Sequence, residues 1–358
     1  MALVGISLLT LVPGRVGGSE NYVRELLRAL ARVGDLDYRV FLPTLAPDAA
    51  DRLPSTVVRS YHASCSTAGR AAAMALATLW PRPVQRELKP ERLDAAHFPL
   101  TVMLPPLDCP AVTTVHDLYH ELFPRMLPRL EVAWRRLAWP RTLRRCRLVI
   151  AISHAVKESL VERYAIEPER IRVVHHGVDH RRFRPGDSPR RPFLLYPAHN
   201  WPNKNHGRLI EAFRLLRAER PELRLVLTGR GHEGRARVEG VELRGHVSDD
   251  ELVRLYQTAS ALVFPSLYEG FGQPALEAMA CGCPVAAAAA GAVPEVCGNA
   301  ARYFDPRSPE SIAETVAEVL EGPHKLVERG LKRAALFSWE ECARRHEAVY
   351  RELAALGR

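Results

Sequence analysis

Short β-rich apolar runs alternate with helical patterns along the whole chain, and this alternation limits the folds available to it. Such alternation is typical of doubly wound parallel sheets. In the first half, the predicted strands span residues 4–9, 39–42, 56–58, 95–98, 111–115, 148–152 and 171–174. In the second half, they span residues 193–196, 224–227, 241–243, 261–264 and 284–287. The sequence therefore predicts an α/β protein with two Rossmann-like domains.

A polar segment divides the two halves. Residues 180–192 read HRRFRPGDSPRRP, are rich in Pro and Arg and lack periodicity, which is typical of a linker. We predict a first domain over residues 1–180, a linker over 181–192 and a second domain over 193–337. Residues 338–358 are predicted to form a C-terminal helix, with packing back on the first domain as one option.

The net positive charge of the chain comes entirely from its first half. Residues 1–186 contain 27 Lys or Arg and 18 Asp or Glu, whereas residues 187–358 contain 23 of each. This asymmetry favours an anionic partner for the first half: a membrane surface, a phosphorylated substrate or a nucleic acid. Because no nucleic-acid recognition motif accompanies the charge, nucleic acid is not expected as a partner.

An arginine-rich segment, residues 125–147, carries eight of these arginines with one acid, Glu131, and the two tryptophans Trp134 and Trp139. A basic helix with Trp suggests a peripheral membrane contact. However, Pro140 interrupts the pattern, which favours a core helix whose arginines face solvent. Both readings remain open from the sequence.

Cysteine usage and hydropathy indicate a cytoplasmic protein, with peripheral contact to the inner membrane as an alternative. The seven cysteines are scattered and odd in number, as expected of reduced thiols. The longest apolar runs are too short to span a bilayer. Cys281 and Cys283 lack a second ligand pair, so no metal site is expected.

The most informative motif is YEGFGQPALEAMACGCPV at residues 268–285, directly after a predicted strand. Gly270 and Gly272 permit a tight turn with exposed backbone N–H groups. Pro274 suits the first turn of a helix, where its missing N–H costs nothing. The amino end of such a helix can hold an anion.

Two glutamates frame this turn. Glu269 lies in the loop, and Glu277 follows eight residues later, one turn into the predicted helix. One carboxylate in the loop, backbone amides at the turn and a second carboxylate on the helix suit a phosphorylated, hydroxyl-rich ligand. The plain alternative is a solvated helix cap with two surface glutamates.

This stretch resembles the second-domain signature of retaining glycosyltransferases of the GT-B fold, family GT4, which have an EGFGxxxxE pattern. The resemblance covers nearly the whole chain. The other matching segments are GGSENYVREL at 17–26, VTTVHDLYHELFP at 112–124, residues 148–179, PNKNHGRLIEAF at 202–213, RLVLTGRG at 224–231, residues 242–266, GAVPEV at 291–296 and FSWEECARRHEAVY at 337–350. The HDLYHELFP and PNKN wording is most similar to the mannosyl- and rhamnosyltransferase-like subgroup.

The resemblance implies two Rossmann-like domains facing across a cleft and a retaining, metal-independent hexosyltransferase. Residues 1–180 would then form the acceptor-side domain, and residues 193–337 the nucleotide-sugar-binding domain. Its donor would be a nucleoside-diphosphate sugar carrying a hexose or deoxyhexose, used as substrate, and no cofactor is expected. Its acceptor would be a hydroxyl of a polysaccharide or other glycan, a lipid-linked sugar, or a small molecule such as a secondary metabolite. Two alternatives are a sugar-nucleotide epimerase on the same fold and a non-catalytic sugar-nucleotide-binding subunit.

The resemblance also implies roles for individual residues. The implied catalytic residues are His116 and Glu269, which face the donor sugar, and Lys204, which neutralises the departing diphosphate. Glu277 would bind the ribose hydroxyls and Val247 would line the base pocket. The full set implied in donor binding is Gly17, Gly18, Asn200, Arg230, Val247, Phe271, Gly272, Gln273 and Glu277.

The chain departs from the family pattern at one point. Many members have an Arg five or six residues before the phosphate lysine, where this chain has His199 and Ala198. Either Lys204 works with another cation, Arg208 or Arg230, or fewer positive charges bind the diphosphate.

Overall fold

The computed structural model describes residues 2–14, 17–88, 92–232 and 238–357. The chain separates into two compact units, Met1–Gly177 with Trp339–Arg358, and Val178–Ser338. The boundary therefore lies three residues before the predicted one, and Arg191, inside the predicted linker, already begins a strand.

The first unit contains a seven-stranded sheet in the order β3-β2-β1-β4-β5-β6-β7, with every neighbouring pair parallel. Its strands are β1 (Leu3–Ser7), β2 (Asp37–Leu42), β3 (Ser55–Val57), β4 (Ala95–Phe98), β5 (Ala111–Val115), β6 (Leu148–Ala151) and β7 (Ile171–Val173). Its helices are α1 (Gly18–Val33), α2 (Thr67–Leu79), α3 (Arg82–Leu88), α4 (Tyr119–Leu122), α5 (Arg129–Arg145), α6 (His154–Tyr164) and, from the end of the chain, α13 (Trp339–Ala355).

The second unit contains a six-stranded sheet in the order β10-β9-β8-β11-β12-β13, also parallel throughout. Its strands are β8 (Arg191–Pro197), β9 (Arg224–Thr228), β10 (Val241–Gly245), β11 (Ala259–Phe264), β12 (Val285–Ala288) and β13 (Ala301–Phe304). Its helices are α7 (His206–Glu219), α8 (Asp249–Thr258), α9 (Gln273–Ala280), α10 (Val293–Cys297), α11 (Pro309–Glu321) and α12 (Pro323–Ala334).

Burial and capping explain why these segments adopt these elements. Every residue of β4, β5, β6 and β12 is buried, as expected for central parallel strands covered on both faces. Four helices begin after a serine whose hydroxyl accepts a backbone N–H of the first turn. These serines are Ser66, Ser153, Ser248 and Ser308.

The last helix belongs to the first unit. In α13, Cys342, Tyr350 and Leu353 share one hydrophobic cluster with Leu26 and Leu30 of α1. Although α13 follows the second unit along the chain, it therefore completes the core of the first.

The predicted fold class is confirmed as two doubly wound parallel sheets. Each of the twelve predicted strands overlaps an observed one, but β13 was not predicted. It has only four residues, and Arg302 within it is exposed, so it lacks the apolar run that marks the other strands. No helix among the described residues is both long and apolar enough to cross a bilayer.

Candidate functional site

Each sheet has one point at which its strand order reverses. The reversal lies between β1 and β4 in the first unit and between β8 and β11 in the second. In open α/β sheets, ligands bind at this switch point, outside the carboxyl ends of the strands. The predicted site residues follow the ends of these strands or of their neighbours.

In the second unit, Lys204 and Glu269 form an ion pair at the switch point. Lys204 ends a short 3-10 helix after β8, and Glu269 lies in the loop after β11. The Lys204 Nζ to Glu269 Oε1 distance is 2.5 Å, and both side chains are largely buried. The tyrosine hydroxyl of Tyr196 donates to the Lys204 carbonyl at 2.9 Å, which anchors the lysine backbone to β8.

Two asparagines fasten these loops to each other. The Asn203 carbonyl accepts from Leu267 N at 2.8 Å, and its side-chain amide donates to the Tyr268 carbonyl at 3.4 Å. Asn205 adopts the left-handed conformation, with φ of 58°, and its amide donates to the Pro265 and Pro306 carbonyls at 3.1 and 2.6 Å. These bonds hold Lys204 beside Glu269 and do not involve the side chain of Lys204 or of Glu269.

The loop before α9 depends on two glycines with positive φ. Gly272, with φ of 103°, caps α9. Gly291, with φ of 56°, passes so close that an added Cβ would lie 2.5 Å from the Glu269 carbonyl oxygen. That oxygen also accepts from Ala292 N at 3.0 Å, so the Glu269 backbone is held from two sides. Phe271 is buried edge-to-face against Phe337.

Glu277 is a buried carboxylate, only 7% exposed, on the first turns of α9. Its Oε2 accepts from the Tyr256 hydroxyl at 3.1 Å. Burial raises the pKa of Glu277 to about 7, while hydrogen bonds from Tyr256 and Gln273 oppose the rise. Neither Glu269 nor Glu277 is a surface residue, which disfavours the plain helix-cap interpretation.

The loop after β8 also contacts the loop after β9. His199 Nδ1 accepts from Arg230 N at 2.9 Å, and the Asn200 side chain donates to the Gly231 carbonyl at 2.7 Å. Burial, together with the positive charges of Arg230 and Lys204, lowers the pKa of His199. His199, at one of the two positions where many family members have an arginine, is therefore neutral and lies in the field of two cations.

Two further residues lie at the border of this region. Arg208 lies on the first turn of α7, where its guanidinium donates to Asn205 Oδ1 at 3.1 Å. Val247 is half-buried in the loop between β10 and α8.

In the first unit, His116 follows β5 directly. Its Nε2 lies 2.8 Å from the Pro99 carbonyl, which can only accept, so Nε2 carries the proton and Nδ1 remains an acceptor. Burial lowers the pKa of His116, which keeps the imidazole neutral at physiological pH. Gly17, with φ of 57°, precedes α1, and Gly18 opens that helix with empty space where a Cβ would lie.

His116 packs in an aromatic cluster, which was not predicted from the sequence. Tyr22 of α1 packs edge-on against His116 at 4.8 Å and stacks on His176 at 4.7 Å. Its hydroxyl lies 2.8 Å from His346 Nε2 and 3.1 Å from Thr114 Oγ1. These residues are scattered between positions 22 and 346, and no motif spacing links them.

Two family models and several known proteins match this chain. Residues 16–182 match the model "Glycosyltransferase Family 4", and residues 179–335 match "Glycosyl transferases group 1". The O-antigen chain mannosyltransferase B of Escherichia coli is 30% identical, over 68% of this chain and 70% of that protein. The MMP alpha-(1->4)-mannosyltransferase of Mycolicibacterium hassiacum is 34% identical over 58% of this chain, and the match spans about half (54%) of that protein's length.

Solved structures match the fold over nearly the whole chain. Sucrose-phosphate synthase from Thermosynechococcus elongatus has a TM-score of 0.78 at 20% identity, covering 99% of this chain and all of that one. Anabaena Alr3699/HepE, solved in complex with UDP-glucose, has a TM-score of 0.70 at 17% identity, covering 98% of this chain and all of that one.

Two units, each built on a doubly wound parallel sheet, together with these structural matches define the fold class as GT-B. The chain belongs to glycosyltransferase family 4.

Proposed function

We propose that this protein is a retaining glycosyltransferase that moves a hexose or deoxyhexose from a nucleoside-diphosphate sugar to a hydroxyl acceptor. The observation that carries the proposal is the Lys204–Glu269 pair at the switch point of the second sheet, one short loop before the amino end of α9. A cation and a helix amino end suit a diphosphate, and the neighbouring carboxylates suit sugar hydroxyls.

Within the second unit, each group has a part of the donor to bind. Glu277, buried and held by Tyr256, accepts hydrogen bonds from the ribose hydroxyls. The backbone amides around Gly272 face the phosphates and the sugar. Lys204 neutralises the diphosphate, and Glu269 orients the sugar hydroxyls while holding the lysine in place.

Arg230 is the second cation in this proposal. It shares the surroundings of His199 with Lys204, and both charges act on that imidazole. Arg208 is held by Asn205 instead. The loop after β9 thus supplies the positive charge that the family pattern places at the position of His199.

The proposed reaction is a front-face substitution. The bond between the anomeric carbon and the diphosphate oxygen breaks, and the acceptor oxygen bonds to that carbon on the same face. The acceptor proton passes to the departing phosphate, whose growing negative charge Lys204 and the α9 amino end stabilise. These fixed charges take the part of a metal ion, and His116 steadies the positive charge that grows on the sugar ring.

The relatives favour a mannosyl-type donor and a glycan or lipid-linked acceptor. The E. coli relative is named for O-antigen chain mannosyl transfer, and the Mycolicibacterium relative for an alpha-(1->4) mannosyl transfer. The Anabaena neighbour of the same fold was solved with UDP-glucose, which supports a nucleotide sugar as donor.

Lys204→Ala tests the proposal. We expect turnover to fall by about 10²–10³-fold with the fold intact, because the substitution removes charge where charge develops. The matched control is Lys325→Ala, an exposed lysine of α12. Turnover is measured as donor hydrolysis and transfer over a panel of UDP-, GDP- and dTDP-sugars, and unfolding temperature reports the fold. Activity of Lys204→Ala within threefold of the wild type would refute the role of the lysine.

The product separates this function from the epimerase alternative. An epimerase would return the nucleotide sugar with an altered ring carbon and no free nucleotide. A transferase releases nucleoside diphosphate, and NMR of its product is expected to show the donor's own anomeric configuration. An inverted product would overturn the retaining mechanism.

A further inference from the structure

Helix α2 in the first unit carries an apolar stripe that faces away from the core. Its inner face contributes Met74 and Ala77 to a buried cluster. On its outer face, Ala72, Leu76 and Leu79 recur at helical spacing and are exposed. Leu79 is 84% exposed, and Trp80, directly after the helix, is 67% exposed. An exposed stripe of this kind marks a surface that something covers.

Helix α5 shows the same division. Trp139 and Leu143 are buried, which confirms that one face of the arginine-rich segment packs in the core. On the opposite face Leu130, 86% exposed, and Leu137 lie two turns apart. The two readings of this segment are therefore not exclusive, because the helix has one core face and one exposed apolar face.

The two helices that carry these exposed faces pack on the same hydrophobic cluster. Trp134 of α5 packs against the same cluster that holds Met74 and Ala77 of α2. Both helices therefore cover the same cluster of the first unit, each with an exposed outer face. We call Leu76, Leu79, Trp80, Leu130 and Leu137, with the arginines around them, the basic apolar face.

Positive charge exceeds negative charge around these residues, although Glu131 pairs with Arg135 and Glu121 with Arg136. No Asp or Glu occurs between residues 62 and 86, whereas Arg82 and Arg86 are exposed there. On α5, Arg141, Arg144 and Arg145 are exposed and form no ion pair with a carboxylate of the described residues. Exposed leucines and a tryptophan ringed by arginines match the interface of an anionic bilayer.

We propose that the basic apolar face docks the first unit on an anionic membrane surface. Its leucines and Trp80 enter the headgroup region, and its arginines contact lipid phosphates. A second copy of the chain fits less well, since a symmetric contact would bring the same arginines against each other. The membrane supplies the negative charge that such a contact would lack.

Vesicle co-sedimentation tests this proposal independently of activity. The full chain is mixed with vesicles of phosphatidylcholine containing phosphatidylglycerol, and with vesicles of phosphatidylcholine alone. We expect binding to the anionic vesicles, weakened by salt. The double variant Leu79→Asp/Leu130→Asp should lose at least about tenfold in affinity, because each leucine contributes apolar burial. Leu215→Asp, an exposed leucine of α7 in the second unit, is the matched control.

Three results would overturn the proposal. The first is no binding of the wild type to anionic vesicles. The second is equal binding by the double variant and the wild type. The third is a wild-type dimer in size-exclusion chromatography that the double variant dissociates, which would assign the face to a second copy. Since both substituted leucines are highly exposed, unchanged unfolding temperatures are expected and show that the variants remain folded.

Discussion

The buried carboxyl of Glu277 should make the second unit less stable as the pH rises. Burial raises its pKa from 4.5 to about 7. The folded protein therefore keeps this proton up to about pH 7, whereas the unfolded chain releases it near the ordinary value. Stability conferred by the proton is fully present at low pH and is lost as the pH rises through this window. The loss amounts to about 3 kcal/mol.

Glu277→Gln should abolish this loss of stability at high pH, because an amide does not ionise. The amide oxygen can still accept the Tyr256 hydroxyl, so the fold should be kept. We expect a gain of less than about 1 kcal/mol over the wild type at pH 5 and of up to about 3 kcal/mol at pH 8. At roughly 2–4 °C per kcal/mol for a unit of this size, the unfolding temperature should rise by about 6–12 °C. At pH 8, where the carboxyl of Glu277 is ionised, donor affinity should fall instead, by about 1.5–3 kcal/mol, because a charged acceptor for the ribose is lost.

Scanning calorimetry without nucleotide, at pH 5 and pH 8, measures the stability effect on the transition of the second unit. Glu314→Gln, an exposed glutamate of α11, is the matched control and should change neither transition. A loss of stability at both pH values, or a gain of the same size at both, would refute the reasoning from burial. Unchanged donor affinity would refute the ribose assignment alone.

Two further substitutions test other parts of the molecule. Arg230→Gln should weaken binding of a nucleoside diphosphate by about tenfold or more, because Arg230 shares the surroundings of Lys204. Arg208→Gln should leave that affinity within twofold, because Arg208 is held by Asn205. Titration calorimetry measures both affinities, and equal losses would contradict the assignment. Tyr22→Phe should lower the stability of the first unit by about 1–3 kcal/mol, because buried His346 and Thr114 lose a partner. Tyr61→Phe, at a buried tyrosine with no hydroxyl bond to the described residues, should have a smaller effect in the same calorimetric scan.

The predictability of the fold follows from burial. Strands such as β6 and β12 are apolar on both faces, so their composition alone marks them. The edge strand β13 has an exposed Arg302 and no such mark. The two-unit division was also visible, since a polar, proline-rich stretch lies near the boundary at Gly177.

The candidate site was predictable only where a motif carries it. Lys204 and Glu269 were named from separate motifs, but their ion pair could not be read from spacing, since 65 residues separate them. The partner of Glu277 was missed for the same reason, because Tyr256 lies on another helix. The side chains that hold functional groups in place are chosen by tertiary packing, which leaves no local pattern in the sequence.

The place of α13 determines the order in which the protein can be completed during synthesis. The second unit is continuous along the chain, so it can fold as soon as Ser338 has left the ribosome. The first unit begins earlier but finishes later, because its core waits for Cys342, Tyr350 and Leu353. Until then the part of α1 that packs on α13 is uncovered, and the hydroxyl of Tyr22 lacks its histidine partner. The nascent protein therefore carries an unfinished first half throughout synthesis of the second, an interval in which chaperone binding is most needed.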